Sequence, residues 1–271
     1  MIITRLIGGL GNQMFQYAVG RRAAHKHKTE LKLDISWFKN PEGAIKRDYL
    51  LNVFNIEEDF ASKEEINKLK SKNRGLLTLF YKKILKINDN TYLEGYWQSE
   101  KYFKDIENII RKEFTFKDKP DAANQKIISR IKSCDSVSIH IRRRDYVFDK
   151  KTNTYHGVCD LCYYLKAVAL AVKKVKKPYF FIFSDDPLWV KKNLHLKFPC
   201  VYVNHNVGKK DYEDLRLMSN CHHNIIANSS FSWWGAWLNS YPDKIVIAPK
   251  KWFRDPSMNT KDLLPQFWIK I

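Results

Sequence analysis

With 271 residues, 44% of them hydrophobic and 14% aromatic, the chain can bury one large core or two modest ones, and its composition excludes a disordered polypeptide. A formal charge of +19 and a pI near 9.6 point to anionic partners, whether nucleic acid, a membrane surface or a nucleotide. No apolar stretch reaches membrane-spanning length, and among five cysteines only Cys159 and Cys162 are closely spaced, a weak metal or redox signal that fits reduced thiols in a cytoplasmic protein.

Apolar β-rich runs alternate with helical patterns, which predicts an α/β fold with largely parallel strands. Strands are expected at Ile2–Ile7, Leu31–Asp34, Tyr92–Glu94, Val137–Ile141, Tyr179–Phe183, Val201–Asn204, Ile225–Asn228 and Lys244–Ala248. Between them the 3.6-residue period predicts helices over Asn12–Lys26, Glu64–Ser71, Leu76–Lys86, Glu100–Arg111, Ala122–Lys132, Leu161–Lys174, Asp211–Asn220 and Ser232–Leu238. The polar stretch Lys117-Asp118-Lys119-Pro120-Asp121 is the clearest break, giving domains 1–120 and 121–271.

The run Gly8-Gly9-Leu10-Gly11-Asn12-Gln13 turns from the first strand into the first helix. It presents backbone donors where an anion could sit, although it is neither a dinucleotide fingerprint nor a Walker loop. A plain tight turn capped by Asn12 explains it equally well. Glu94-Gly95-Tyr96-Trp97-Gln98-Ser99 mixes aromatic, amide and hydroxyl groups, the combination that recognises sugars, and His156-Gly157 with Tyr163 and Tyr164 is similar. Loop and core packing account for both stretches as readily.

The most informative segment is His140-Ile141-Arg142-Arg143-Arg144-Asp145-Tyr146, which sets three guanidiniums at the carboxyl end of a buried strand, the edge where open α/β sheets bind ligands. Arg suits phosphate because its planar charged fork matches the oxygens; a solvated turn paired with Asp145 is the alternative. Asp185 and Asp186 could hold a metal, but Pro187 makes Asp186 a helix cap, and no Asp-x-Asp supports a metal. Asn228-Ser229-Ser230-Phe231-Ser232 opens a further helix with donors that could meet an anion or a ribose, while Trp233, Trp234 and Trp237 read as its core face.

Together these segments resemble the bacterial α-1,2-fucosyltransferases of glycosyltransferase family 11. The likeness rests on Gly8 through Ala18, Gly95–Ser99, the His-x-Arg-Arg-x-Asp element at His140, Arg142, Arg143 and Asp145, and Ala227 through Trp234, in that order along the chain. The resemblance implies a GT-B fold of two facing Rossmann-like domains. It implies an acceptor-side first domain, a second domain that binds the donor GDP-β-L-fucose, and a last helix that could return to the first. It further implies inverting transfer to the 2-hydroxyl of a terminal β-galactose on an O-antigen-like or lipid-linked glycan, with no metal or other cofactor. Carried over residue by residue, Arg142 would hold the β-phosphate, His140 would touch the nucleotide, and Arg143 and Asp145 would shape the loop. Asp214 would lie near guanine, with Asn228, Ser229, Ser230 and Ser232 near the diphosphate and Gly9, Gly11 and Asn12 approaching the donor. Acceptor contacts would come from Glu94, Trp97, Gln98 and His156.

On this reading Arg142 stabilises the departing diphosphate, with Asn12 assisting. Asp145, Glu94 and His156 are candidates for the base that takes the acceptor proton. The chain would work in the cytoplasm, its basic face able to dock on the inner face of the plasma membrane. A nucleic-acid-binding protein, a transferase of another sugar or linkage, and an inactive sugar-binding module are the rivals. Dispersed lysines and aromatics confined to apolar segments argue against nucleic acid as a partner.

Overall fold

The computed structural model describes residues 1–41, 46–72 and 85–271. They divide into two compact units, Met1–Asp118 and Lys119–Ile271, each built on its own parallel sheet. Among the described residues no helix is long and apolar enough to cross a membrane.

The first unit comprises β1 (Ile2–Arg5), α1 (Leu10–His27), β2 (Leu31–Asp34), α2 (Lys63–Lys72), β3 (Thr91–Leu93) and α3 (Glu107–Glu113). Its sheet has the order β2-β1-β3, with Ile3 opposite Lys32 on one side and Tyr92 on the other. Helix α1 lies against the sheet through Gly20, where an added Cβ would sit 2.0 Å from Thr4 Oγ1. It ends at Lys28, whose left-handed backbone (φ 50°) lets its N–H cap the last carbonyls. Aromatic side chains fill the core beneath, with Tyr17 5.5 Å and Phe54 5.2 Å from Phe114 between ring centroids.

The second unit comprises α4 (Ala122–Lys132), β4 (Asp135–Ile141), α5 (Arg144–Phe148), α6 (Lys150–His156), α7 (Leu161–Lys174), β5 (Pro178–Ser184), α8 (Pro187–Asn193), β6 (Cys200–Val203), α9 (Tyr212–Asn220), β7 (His223–Ile225), α10 (Ser230–Leu238), β8 (Val246–Ala248) and β9 (Ile269–Lys270). The sheet order is β6-β5-β4-β7-β8-β9, all parallel. Strand β4 is buried on both faces, as parallel strands are when helices cover each side. Val137, Ile139 and Ile141 pack on Tyr164, Ala167, Val168 and Ala171 of α7, spaced along one stripe of that helix. On the other face, Ser138 accepts a 2.7 Å bond from Asn224 Nδ2, and His140 lies 5.6 Å from the ring of Phe231.

Several expected elements differ from those observed. The helix expected over Glu100–Arg111 is two 3-10 turns, Glu100–Tyr102 and Lys104–Ile106, followed by α3. Phe103 between the turns has φ −142°, outside the helical range, and is fully buried 6.3 Å from Phe15; seating this ring breaks the helix. The strand expected over Ile225–Asn228 ends at Ile225, because the chain leaves the sheet to bring Asn228 and Ser229 to the start of α10. A returning terminal helix is replaced by β9, which adds Ile269 opposite Ile247 and keeps the chain end in the second unit. Helices α5 and α6 have no counterpart among the expected elements. Most of the helix expected over Leu76–Lys86 lies outside the described residues.

Gly20→Ala forces Thr4 or the α1 backbone to move, since a methyl cannot occupy a 2.0 Å gap. Overpacking of this kind costs about 1–3 kcal/mol, which outweighs the ~1 kcal/mol helix-propensity gain of alanine. The variant should therefore unfold at lower urea concentration than the parent; an unchanged midpoint would place the α1 contact elsewhere.

Candidate active site

In the second unit the chain builds β4, β5 and β6 outward in one direction, then returns to lay β7 on the opposite side of β4. The loops leaving β4 and β7 therefore diverge, and the crevice outside their carboxyl ends is where such sheets bind ligands. Arg142 leaves β4 there, and Asn228 and Ser229 follow β7. The two loops are joined by Tyr146, whose hydroxyl donates to the Asn228 carbonyl at 3.3 Å.

Arg142 is clasped rather than free. Its Nη2 donates to Asp145 Oδ1 at 2.6 Å, its Nη1 lies 3.2 Å from Asp185 Oδ2, and its guanidinium sits 5.5 Å from the Tyr146 ring centroid. Asp185 also accepts the Arg143 N–H at 2.8 Å. Its carboxyl is pushed up by burial, an effect that Arg142 and the backbone donors only partly offset. Arg143 turns away, pairing with Asp186 at 3.3 Å and lying 3.6 Å over the Trp189 ring. Arg144 is exposed. The three adjacent arginines thus divide into one held at the crevice, one packed into the scaffold and one in solvent. Asp186 caps α8 by accepting the Trp189 N–H at 3.2 Å, so the two aspartates serve the loop and the helix.

His140 is 5% exposed, and its Nδ1 has no hydrogen-bond partner. Burial, reinforced by the Arg142 charge, lowers its pKa to about 3, so the ring is neutral at working pH. Asp214, in the first turn of α9, accepts from Asn206 Nδ2 at 2.8 Å; burial dominates and raises its pKa to about 7. Asn206 is in turn held by Asn124 of α4.

After β7 the expected site residues have different fates. Asn228 is fully engaged: its Nδ2 donates to the carbonyls of His156, Gly157 and Trp252 at 3.0–3.2 Å, and its Oδ1 accepts the Cys159 thiol. It anchors three loops and has little left for a ligand. Ser232 is buried and donates back to the Ala227 and Ser229 carbonyls, a structural role. Ser229 stands at the N-cap of α10 with no side-chain cap bond, and Ser230 follows, so these two remain at the helix start. Trp233 and Trp234 are fully buried core, the former tied to the Leu263 carbonyl at 2.9 Å. His156 stacks on Tyr146 with centroids 4.8 Å apart, and burial lowers its pKa.

The first unit has the same topological feature on a smaller scale, since β3 is laid on the far side of β1 from β2. The glycine turn after β1 and the Glu94–Ser99 loop after β3 meet there. Gln98 Nε2 donates to Asn12 Oδ1 at 2.8 Å, and Glu94 pairs with Arg5. Gly8 (φ 77°) makes the turn, and Gly9 stands at the N-cap of α1, with Gly11 buried in the first turn. Gln13 fixes the turn by donating to the Gly8 and Asp48 carbonyls and accepting the Leu50 N–H, all at 2.9 Å. Gln16 accepts from Ile7 N. Trp97 adopts φ 40° and folds its ring over Gly95, where a Cβ would be 2.8 Å away. Among the described residues no group of His, Cys, Asp or Glu side chains has the arrangement of a metal site.

Sequence reasoning gave no role to Tyr146 or Asn206 and weighed Asp185 only as a metal ligand, whereas these three hold Arg142 and Asp214 in place. The Asp-Asp-Pro string was a visible signal for Asp185.

A family model described as glycosyl transferase family 11 matches residues 1–271, and the chain belongs to that family. It is a glycosyltransferase of GT-B fold. It is 36% identical to an α-1,2-colitosyltransferase of Escherichia coli over all of this chain and 99% of that protein. To the O-antigen biosynthesis glycosyltransferase WbnK, also of Escherichia coli, it is 34% identical over 98% of this chain and 99% of the relative. Among solved structures, the α-1,6-fucosyltransferase NodZ soaked with GDP-fucose aligns over 88% of this chain and 91% of its own with a TM-score of 0.51; at 13% identity the likeness is one of fold.

If Asn228 is scaffold, Asn228→Ala leaves three loop carbonyls without their shared donor and should destabilise the protein by about 2–4 kcal/mol. Thermal unfolding reads this directly; an unchanged Tm would show that the loops are held by other contacts.

Proposed function

We propose that the chain transfers L-fucose from GDP-β-L-fucose, with inversion, to the 2-hydroxyl of a terminal β-galactose on a surface-glycan acceptor. The observation that carries this reading is the clasped Arg142 at the β4–β7 crevice, joined through Tyr146 to the serine-bearing start of α10. Arg142 offers charge and the α10 N-terminus offers unpaired N–H groups, which is what a leaving diphosphate needs. We assign neutral His140, beside Phe231 of α10, and the Asp214 carboxylate at the start of α9 to the nucleoside, Asp214 accepting from the guanine N–H groups.

As the sugar–phosphate bond stretches, negative charge gathers on GDP, and a guanidinium already oriented by two carboxylates stabilises it without reorganising. This neutralisation is sufficient without a metal. Asp145 is committed to Arg142, so we assign it to holding the guanidinium rather than to taking the acceptor proton. Asn12 and Gln98, paired in the first unit, are assigned to sugar contacts together with Trp97. A β-linked donor and an α-linked product require one displacement with inversion. A cytoplasmic enzyme acting on lipid-linked glycan at the inner membrane face fits the basic composition.

The α-1,2-colitosyltransferase relative supports a second reading in which the donor sugar is colitose, which lacks the 3-hydroxyl of fucose. Parallel assays with GDP-fucose and GDP-colitose on a β-galactoside, with linkage analysis of the product, separate the two. Transfer of fucose to O2 is expected, and exclusive use of the 3-deoxy donor would contradict it.

Arg142→Ala should fold normally and lose roughly a hundred- to thousandfold in kcat, as removal of one charge-stabilising donor does; turnover within a few-fold of the parent would remove Arg142 from catalysis. Asp214 gives a pH signature. With a folded pKa raised to about 7, it is protonated below that pH and cannot accept from guanine. GDP should therefore bind more tightly as pH rises from 6 to 8, and Asp214→Asn should bind weakly with no such rise. The same shift makes Asp214 a stability liability that builds as pH rises from about 4 to about 7 and is complete above that, because the unfolded carboxyl ionises near 4 while the folded one resists. GDP should reduce that liability, readable as a larger GDP-induced Tm shift at pH 8 than at pH 6.

A further inference from the structure

Beyond the crevice, the second unit holds a cavity of about 310 Å³ at the carboxyl ends of β7, β8 and β9, and Arg142 is not among its lining residues. Lys250 and Lys251 follow β8 after Pro249, and Arg254 completes a cationic wall. None of the three forms an ion pair among the described residues; the Arg254 guanidinium donates to the neutral Asn153 Oδ1 at 2.7 Å. The one acidic residue of the lining, Asp160, uses its carboxylate to cap α7 through the Tyr163 N–H at 2.7 Å.

The wall is held in place by its backbone. Lys250 N–H donates to the Ile271 carbonyl at 2.8 Å, and Arg254 N–H donates to the Tyr155 carbonyl at 3.0 Å. Gly157, with φ 63°, makes room for Arg254, since an added Cβ would lie 3.3 Å from both its Cβ and its Nε. Three like charges line one cavity, and their side chains supply charge-assisted donors to an anion. His156 and Phe253, 5.3 Å apart between ring centroids, add an aromatic wall on which a sugar ring can rest. The volume is at the lower end of that of small-molecule sites.

We propose that this cavity is a second anion site, distinct from the donor crevice, which binds a phosphate- or diphosphate-type group. The group is either borne by the acceptor glycan or free in solution. The acceptor assignment rests on the glycosyl-transfer reading; the anion site itself does not.

Inorganic pyrophosphate is the probe, titrated calorimetrically into the full-length protein and two variants. Lys250→Ser/Lys251→Ser, both exposed positions, should weaken pyrophosphate binding by about tenfold or more. Their Tm and GDP affinity should be unchanged. Arg142→Ala should bind GDP roughly ten- to a hundredfold more weakly and keep the pyrophosphate site, and GDP-saturated protein should still take up pyrophosphate. Pyrophosphate binding lost on GDP saturation or in Arg142→Ala, but kept in the lysine variant, would overturn the proposal by leaving the donor crevice as the anion site. Absence of any GDP binding would instead count against the proposed function and leave the pyrophosphate comparison standing. A β-galactoside and the same glycan carrying a reducing-end phosphate then identify the source. A lower KM for the phosphorylated acceptor that disappears in Lys250→Ser/Lys251→Ser assigns the site to the acceptor. Equal KM values with pyrophosphate binding intact assign it to a free anion.

Discussion

The reversal of strand order beside β4 is the constraint on which the rest of the second unit depends. Because β5 and β6 are laid on one side of β4 and β7 on the other, the carboxyl end of β4 lies where open sheets of this kind bind ligands. A charge placed there can meet a ligand, and Arg142 is the charge to which we assign that contact. A guanidinium left to itself at a sheet edge would sample many rotamers. Asp145 and Asp185 hold it from two directions while the Tyr146 ring covers it, and the Tyr146 hydroxyl reaches the loop after β7. Arg142 is therefore preorganised before any ligand binds, which is the condition for it to stabilise developing charge efficiently.

Much of this arrangement is legible in the residues. Ala122–Lys132 and Leu161–Lys174 form helices over the expected residues, because each has a side-chain-capped start, Asp121 or Asp160, and an apolar stripe. The buried strand before the arginines was readable from Val137-Ser138-Ile139. What periodicity could not resolve was how adjacent like residues divide their work. Arg142, Arg143 and Arg144 are chemically equal in the sequence, and only the positions of Asp185, Asp186 and Trp189, some forty residues further on, separate them. Asn228 shows the same limit: an amide after a strand suits a ligand or a scaffold, and three distant carbonyls decide for scaffold. The Glu100–Arg111 segment has helical spacing, yet burying Phe103 overrides it.

The charge is also unevenly placed. Residues 119–271 carry 26 lysines and arginines against 13 aspartates and glutamates, so the unit with the arginine crevice holds most of the net positive charge. A nucleic-acid binder would be expected to order its cations and exposed aromatics along one track. Here the tryptophans of α10 are buried, and Arg142, Lys250 and Lys251 follow strands at the carboxyl edge of one sheet. That pattern suits compact anions, a nucleoside diphosphate at one place and a further phosphate-type group at another.

The central claim is that Arg142 grips the terminal phosphate of a guanine nucleotide, and calorimetric comparison of GDP with GMP tests it most directly. GDP should bind the parent protein roughly ten- to a hundredfold more tightly than GMP, the worth of one charge-assisted contact. In Arg142→Ala that preference should collapse to within a few-fold. Equal affinity of the parent for GDP and GMP, or a full preference for GDP retained in Arg142→Ala, would contradict the account.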